Sequence, residues 1–242
     1  MIRAGLALLA LAWAGAAPAA PGRVPFVGCA SDGQQGPQAA PRRATVPAVP
    51  RAAASQLAYY VSGDLGVLAP RGWHCFGLYG SNGAILIVTP QRLGARELLR
   101  GATPSLHGPA IQISDSLGGT SGRFEVARVI ALAFPAQMDF ARRVAAEGIG
   151  DPLPTGPYPS DRIVRLRPTV VGYRTPSGRE GLGTASRLAP DDRPIDGLAI
   201  LDTSDDWYLR KVDVRLPAAL AGLATPILNA ALPPRRAPLN PR

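Results

Sequence analysis

The chain of 242 residues holds one lysine, Lys211, two histidines, two cysteines and few aromatics, 6% of the total. Each scarcity removes a class of function. His74 and His107 lie far apart and the only thiols are Cys29 and Cys75, so no cluster has metal-ligand spacing. We therefore expect no metal and no cofactor. The sparse rings matter for nucleic acid, which needs basic residues interleaved with aromatic stacking platforms. Here the arginines (Arg42-Arg43, Arg96, Arg142-Arg143, Arg162 to Arg167, Arg235-Arg236) are scattered with acids between them, so no nucleic-acid partner is expected. Beyond the first twenty residues no apolar run approaches the roughly 20 residues that cross a bilayer, so we expect no transmembrane span in the mature chain.

What is present is alanine, 27 glycines and 26 prolines, which predict many turns and short elements. The formal net charge is +9, and apart from Lys211 it is carried by arginine. Arginine with abundant Ala, Pro and Gly reads as a GC-rich coding bias. The basic surface reads as simply solvated, with weak attraction to an anionic envelope component as the alternative.

The first residues carry the clearest signal. Arg3 precedes an apolar run from Ala4 to Ala17, and Ala16-Ala17-Pro18-Ala19-Ala20 follows. A basic start, an apolar middle and a small-residue exit read as a secretory signal peptide over residues 1–19, cleaved after Ala19. The expected location is periplasmic or secreted. Phe26-Val27-Gly28-Cys29 loosely resembles a lipidation box, but Pro21, Gly22, Arg23 and Pro25 separate it from the apolar run. In an oxidising compartment Cys29 and Cys75 are expected to form one disulfide. The alternative is a reactive Cys75 beside His74, but neighbours on a strand point to opposite faces.

Residues 20–56, with Pro37, Pro41, Pro47 and Pro50, read as a Pro/Ala-rich extended arm. Residues 57–232 read as one α+β domain with a largely antiparallel β-sheet and two or three helices, and residues 233–242 as a disordered tail. Leu57 to Val61 is a short apolar patch. Gly72 to Thr89 is the best hairpin, with Asn82-Gly83 at the tip as a type I′ turn. That register sets Tyr79 opposite Leu86, and it places Trp73, Cys75, Gly77 and Tyr79 on one face. Pro109 to Ser114 suggests another strand. Phe124, Ala127, Ile130 and Phe134 keep helical spacing, with Ser121 as N-cap. Pro135 starts a second helix ending at Gly148, with Asp139 and Arg143 as an i,i+4 pair. Strands are expected at Ile163 to Arg167, Val170 to Arg174, Ile195 to Leu201 and Trp207 to Leu216, and a last helix from Pro217 to Leu232, kinked at Pro226.

Catalytic motifs fail on inspection. Trp73-His74-Cys75 and Asp115-Ser116-Leu117-Gly118-Gly119 faintly resemble two protease motifs, but their spacing is too short for two packed barrels. Gly119-Thr120-Ser121-Gly122 is not a nucleophile elbow. Asp191-Asp192, Asp196, Asp202 and Asp205-Asp206 miss the calcium-loop pattern and read as solvated turn caps. Gly181-Leu182-Gly183 lacks the context of a phosphate loop. No catalytic residue is assigned. The candidate binding residues are Arg71, Trp73, His74, Tyr79, Ser81 and Asn82 around the hairpin, since Arg, Trp and Tyr are enriched at binding hot spots. A Trp beside a disulfide is equally an ordinary packing residue.

Val24 to Gln34, Leu65 to Cys75, Thr120 to Phe124 and Glu180 to Thr184 resemble segments of an uncharacterised family of exported bacterial proteins. The resemblance implies export, most simply from a Gram-negative cell, and no activity. The expected function is a non-catalytic binding or structural role in the envelope. The alternatives are a hydrolase of envelope polymers with an unrecognised site, and an interaction module that uses the Pro-rich arm.

Overall fold

The structure, a computed structural model, describes residues 21–99, 106–203 and 206–234. The expected signal peptide, Asp205 and residues 235–242 of the expected tail lie outside the described residues.

The fold is α+β. Residues 21–56 supply β1 (Pro21–Gly22), β2 (Phe26–Gly28), β3 (Ser31–Gly33), β4 (Val49–Pro50) and α1 (Arg51–Ala54). Then come β5 (Leu57–Ser62), β6 (Leu65–Pro70), β7 (His74–Gly80), β8 (Gly83–Thr89), α2 (Ala95–Leu99) and β9 (Ala110–Leu117). Helices α3 (Arg123–Ala133) and α4 (Met138–Ala145) precede β10 (Arg162–Arg167), β11 (Val170–Thr175), β12 (Ile195–Asp202) and β13 (Tyr208–Arg215). A 3-10 segment, Ala218–Leu223, leads into α5 (Ala224–Ala231). The short α1 and α2 add to the helices foreseen from periodicity.

Eight strands form the main sheet in the order β10-β11-β12-β13-β9-β8-β7-β3. Two meanders, β7 to β9 and β10 to β13, meet where β13 pairs antiparallel with β9. A three-stranded sheet, β2-β5-β6, covers one face. There Leu57, Tyr60 and Leu68 pack with Leu86, Ile111, Val212 and Ile227 of α5. On the other face, Val126 and Ile130 of α3 and Phe140 of α4 pack on Val171, Ala199 and Leu209. A smaller cluster of Leu78, Ile87 and Leu98 continues this layer. Because β8 is covered on both faces, Ile85 to Val88 is a continuous apolar run rather than an alternating one. Each fully buried Leu or Ile in these layers contributes about 2 kcal/mol.

The N-terminal segment sews the two sheets together. β2 pairs parallel with β5 in the small sheet, and β3 pairs parallel with β7 in the large one. Cys29, between them, forms the expected disulfide with Cys75, with a Cα–Cα distance of 5.5 Å. The prolines of this stretch exclude long strands but permit these short ones, whose partners are supplied by the rest of the fold.

Several local expectations are corrected. In the β7–β8 hairpin Gly80 pairs with Gly83 and Tyr79 with Ala84, so the loop is Ser81-Asn82. Among the described residues none other than glycine has positive φ, which excludes a type I′ turn at Asn82. Gly83 serves a different need: a Cβ there would sit 1.9 Å from the carbonyl oxygen of Asp115 on β9. The register moves by two residues, so the expected faces are kept. Ser121 does not cap α3. The N-cap is Gly122, without a side-chain cap; Thr120 shapes the turn before it, its Oγ1 accepting from the Gly122 N–H at 3.2 Å and its carbonyl from the Arg123 N–H at 3.1 Å. Asp139 pairs with Arg142 at i,i+3, not with Arg143. Pro226 falls in the first turn of α5, where its missing N–H costs nothing, so the break is a change from 3-10 to α-helix before it.

Candidate functional site

A cavity of about 540 Å³ opens beside the tip of the β7–β8 hairpin on the α3 side of the main sheet. Its floor is β9, where Gln112, Ser114 and Ser116 share a face because strand side chains alternate. Glu125 and Arg128 of α3 form one wall, and residues 184–187 form another. Leu78 and Ile85 supply an apolar side, with Asn82 at the rim.

The 181–187 wall is fixed by a polar network on β13. Leu209, Lys211, Asp213 and Arg215 point to this face, and the last three are buried charged residues. Lys211 Nζ donates to the carbonyls of Leu182 at 2.9 Å and Ala185 at 2.6 Å. Arg215 donates to the carbonyls of Leu106, Gly108 and Ala189. Asp161 accepts from the Leu182 N–H at 2.6 Å, and Gln112 Oε1 accepts from the Arg187 N–H at 2.9 Å. The hydroxyls of Thr184 and Ser186 are spent within the loop. Asp213 is fully buried. It accepts from the Tyr173 hydroxyl at 2.5 Å, and its Oδ2 has no hydrogen-bond donor. Burial pushes its carboxyl up to about 6, against the pull of Lys211 and Tyr173, and the charge of Glu125 raises it further. Burial, together with Asp213, also holds the Tyr173 phenol well above its usual range.

Among the described residues, the side chains of Ser114, Ser116, Glu125 and Arg128 make no hydrogen bond, and Glu125 and Arg128 form no ion pair. Both residues of α3 also border a smaller hollow of about 200 Å³ below Ile149. The opposite side of the hairpin tip has its own cleft, about 400 Å³, near Tyr208 and Arg210. There Arg210 and Asp115 consume each other's charge, while the exposed Asp64 borders the cleft without an ion pair among the described residues. Arg210 donates to both oxygens of Asp115 at 2.8 and 2.7 Å and to the Tyr208 hydroxyl at 2.8 Å. Burial and Asp115 raise the Tyr208 phenol, and the bonds to Asp115 keep the Arg210 guanidinium charged.

The six residues expected at the hairpin divide into two groups. Tyr79, Ser81 and Asn82 stand at the tip. Tyr79 donates its hydroxyl to Gly36 O at 2.6 Å, and Ser81 accepts from Gln34 at 3.3 Å. Arg71, Trp73 and His74 lie at the other end of β7, about 20 Å away at the usual rise per strand residue. Arg71 clamps the end of α1, donating to Ala54 O at 2.8 Å and Leu57 O at 2.9 Å. Trp73 is half-buried against the core cluster that includes Cys29, and His74 is half-buried opposite Thr89. Of the six, Tyr79 and Asn82 border the cleft; its floor and α3 wall were missed, although Gln112-x-Ser114-x-Ser116 is a legible polar stripe opposite Ile111 and Ile113.

The acidic residues of the turn region have structural partners. Asp191 accepts from the Gly108 N–H, Asp192 pairs with Arg193 at 2.9 Å, and Asp196 pairs with Arg174 at 3.0 Å. Among the described residues no three His, Cys, Asp or Glu converge as a metal site would require. Gly181 and Gly183 pack too tightly for a phosphate cradle, since a Cβ would lie 2.1 Å from Asp161 Oδ1 and 2.8 Å from Ile195 respectively.

Comparison with known proteins gives no match. No family model fits the chain, no curated protein is similar to it, and no solved structure matches it.

Proposed function

We propose that the protein is an exported binding protein that takes a hydrophilic component of the bacterial envelope into the cleft on β9. The observation that carries this reading is the contrast between the two sides of the hairpin tip. On one side Arg210 and Asp115 satisfy each other, whereas on the other the Ser114 and Ser116 hydroxyls and the Glu125 and Arg128 charges face a cavity without protein partners. Polar groups half-withdrawn from water in a concave site are the groups a ligand satisfies. The disulfide and the signal-like N-terminus support export, and among the described residues no helix is long and apolar enough to cross a membrane. Binding rather than hydrolysis is favoured because Glu125 is the one acid aimed at the cleft. Asp115, which also borders it, has its carboxylate turned to Arg210.

Co-sedimentation of the purified mature protein with isolated envelope polymers tests the reading. Ser114→Tyr fills the floor of the cleft and should abolish co-sedimentation while leaving the melting temperature within a few degrees. Equal co-sedimentation of both forms, or release of soluble fragments from the polymer by the wild type, would overturn it.

A further inference from the structure

We propose that the ligand group held in this cleft is an α-amino-acid head group, its ammonium against Glu125 and its carboxylate against Arg128 and the serine hydroxyls. The inference rests on the binding role assigned to the cleft above and names the chemistry it selects.

Glu125 and Arg128 are three residues apart on α3, so their side chains emerge as neighbours on one helix face. That spacing ordinarily yields an ion pair, as it does for Asp139 and Arg142 on α4 at 2.9 Å. Here the pair is not made, although both side chains are half-buried and border the cleft. Two opposite charges on one helix face without contact present a template for a ligand that carries both charges. An α-amino-acid head group carries an ammonium and a carboxylate on one carbon.

The surroundings sort the two ends. The charge of Glu125 acts unfavourably on the buried carboxylate of Asp213. Its Oδ2 has no donor, and the charge of Lys211 is 3.9 Å away and tied to the carbonyls of Leu182 and Ala185. The Glu125 end is thus the place for a cation. Arg128 and the unspent hydroxyls of Ser114 and Ser116 supply donors for an anion. Leu78 and Ile85, on the third side, suit the apolar start of a side chain. The cavity of about 540 Å³ has room beyond one amino acid, so the head group can be free or carried at the end of a longer amide-linked chain.

Isothermal titration calorimetry at neutral pH tests this with five probes: L-leucine, D-leucine, N-acetyl-leucine, leucinamide and γ-glutamyl-glycine. The last carries an α-amino-acid head group on an amide-linked chain. Binding of either leucine, or of γ-glutamyl-glycine, is expected, and which binds tells a free from a carried head group. For a free head group, acetylation should weaken binding at least tenfold in the wild type and have no effect in Glu125→Gln. Amidation should do the same in the wild type and have no effect in Arg128→Gln. For a carried one, each substitution alone should weaken γ-glutamyl-glycine at least tenfold. Both variants change half-exposed helix positions, and an unchanged melting temperature confirms their folding. If the zwitterions fail while envelope polymer still binds through the cleft, the head-group inference falls and the binding role stands. Zwitterion binding indifferent to capping and to both substitutions also overturns the inference. If neither probes nor polymer bind, both readings fall.

Discussion

Lys211 and Asp213 stand two residues apart on the same buried face of β13, with Nζ 3.9 Å from Oδ2. The chain's only lysine is thereby placed under the 181–187 wall, where it joins two loop carbonyls to one buried acid. An arginine does the neighbouring task at position 215, forking to three carbonyls. A compact ammonium on a straight stem suits the narrower space between Leu182, Ala185 and Asp213. The wall of the cleft is therefore held by charges that water does not reach.

The first prediction follows from Asp213. Its folded pKa of about 6 lies above the ordinary value because burial disfavours the charged form. A raised folded pKa means that the native state holds the proton longer than the unfolded chain. The group's stabilising contribution is present in full below the unfolded pKa of about 3.9 and is lost as pH rises through about 6. Acidification from pH 7.5 to 5 should raise wild-type stability relative to Asp213→Asn by about 1 kcal/mol. Urea unfolding of both proteins at the two pH values measures the difference. A difference independent of pH would show that Asp213 titrates at its ordinary value.

A second prediction concerns the ammonium. Lys211→Met keeps the apolar stem but leaves Asp213 uncompensated and frees the carbonyls of Leu182 and Ala185. Removing one partner of a buried pair costs about 3–5 kcal/mol. The 181–187 backbone amides should also lose protection in hydrogen exchange before the core of β8 does. A loss below about 1 kcal/mol with unchanged exchange would mean that the wall is held by Asp161, Thr175 and Gln112 without the ammonium.

The parts of this fold legible in the sequence are those set by local rules. The segments of β8, α3 and β10 to β13 were marked by apolar runs, helical spacing and turn residues, and the cysteine pairing by their number and compartment. The strands of residues 21–50 were not legible, because β1 to β4 are two or three residues long and exist through partners elsewhere in the chain. β6 was passed over because Pro70 and Gly66 break its pattern, yet Pro70 is its last residue. The cleft was out of reach for a stronger reason. Ser114, Glu125 and residues 184–187 converge only once β9 pairs with β13 and α3 folds back over it. Sequence reading looked to the hairpin, where Tyr79 and Asn82 do border the cleft, while the fold spends the side chains of Arg71 and Tyr79 on backbone carbonyls.

The third prediction is the cost of losing the bridge. Cys29 and Cys75 are 46 residues apart, and they join the crossover from β2 to β3 to the edge of the main sheet. Closing a loop of that length in the unfolded chain is worth about 4 kcal/mol in the chain-entropy treatment. Cys29→Ala with Cys75→Ala should lower the unfolding free energy by about that amount, and reductant should lower the wild type similarly. Protease should then cut first within residues 34–46, where pairing to the sheets is sparse. Equal urea midpoints with and without reductant would show that β2 and β3 hold their places without the bond.

The last prediction separates two explanations for Gly83. A type I′ turn would require positive φ at Asn82 and Gly83, and asparagine tolerates that conformation well. The structure assigns Gly83 another constraint: φ is +143° and a Cβ would lie 1.9 Å from Asp115 O, against the backbone of β9. Asparagine relieves none of that crowding. Gly83→Asn and Gly83→Ala should therefore be equally damaging, each by about 3 kcal/mol, since the clash is with backbone rather than with a side chain that can turn away. Asn82→Gly, at a position with negative φ, should cost no more than about 1 kcal/mol through the added freedom of the unfolded chain. The displaced Asp115 would also loosen its bond to Arg210, so both Gly83 variants should open the second cleft as well. Urea melts of the three variants decide the matter. A Gly83→Asn protein near wild-type stability, with Gly83→Ala clearly weaker, would restore the turn explanation and the register that goes with it.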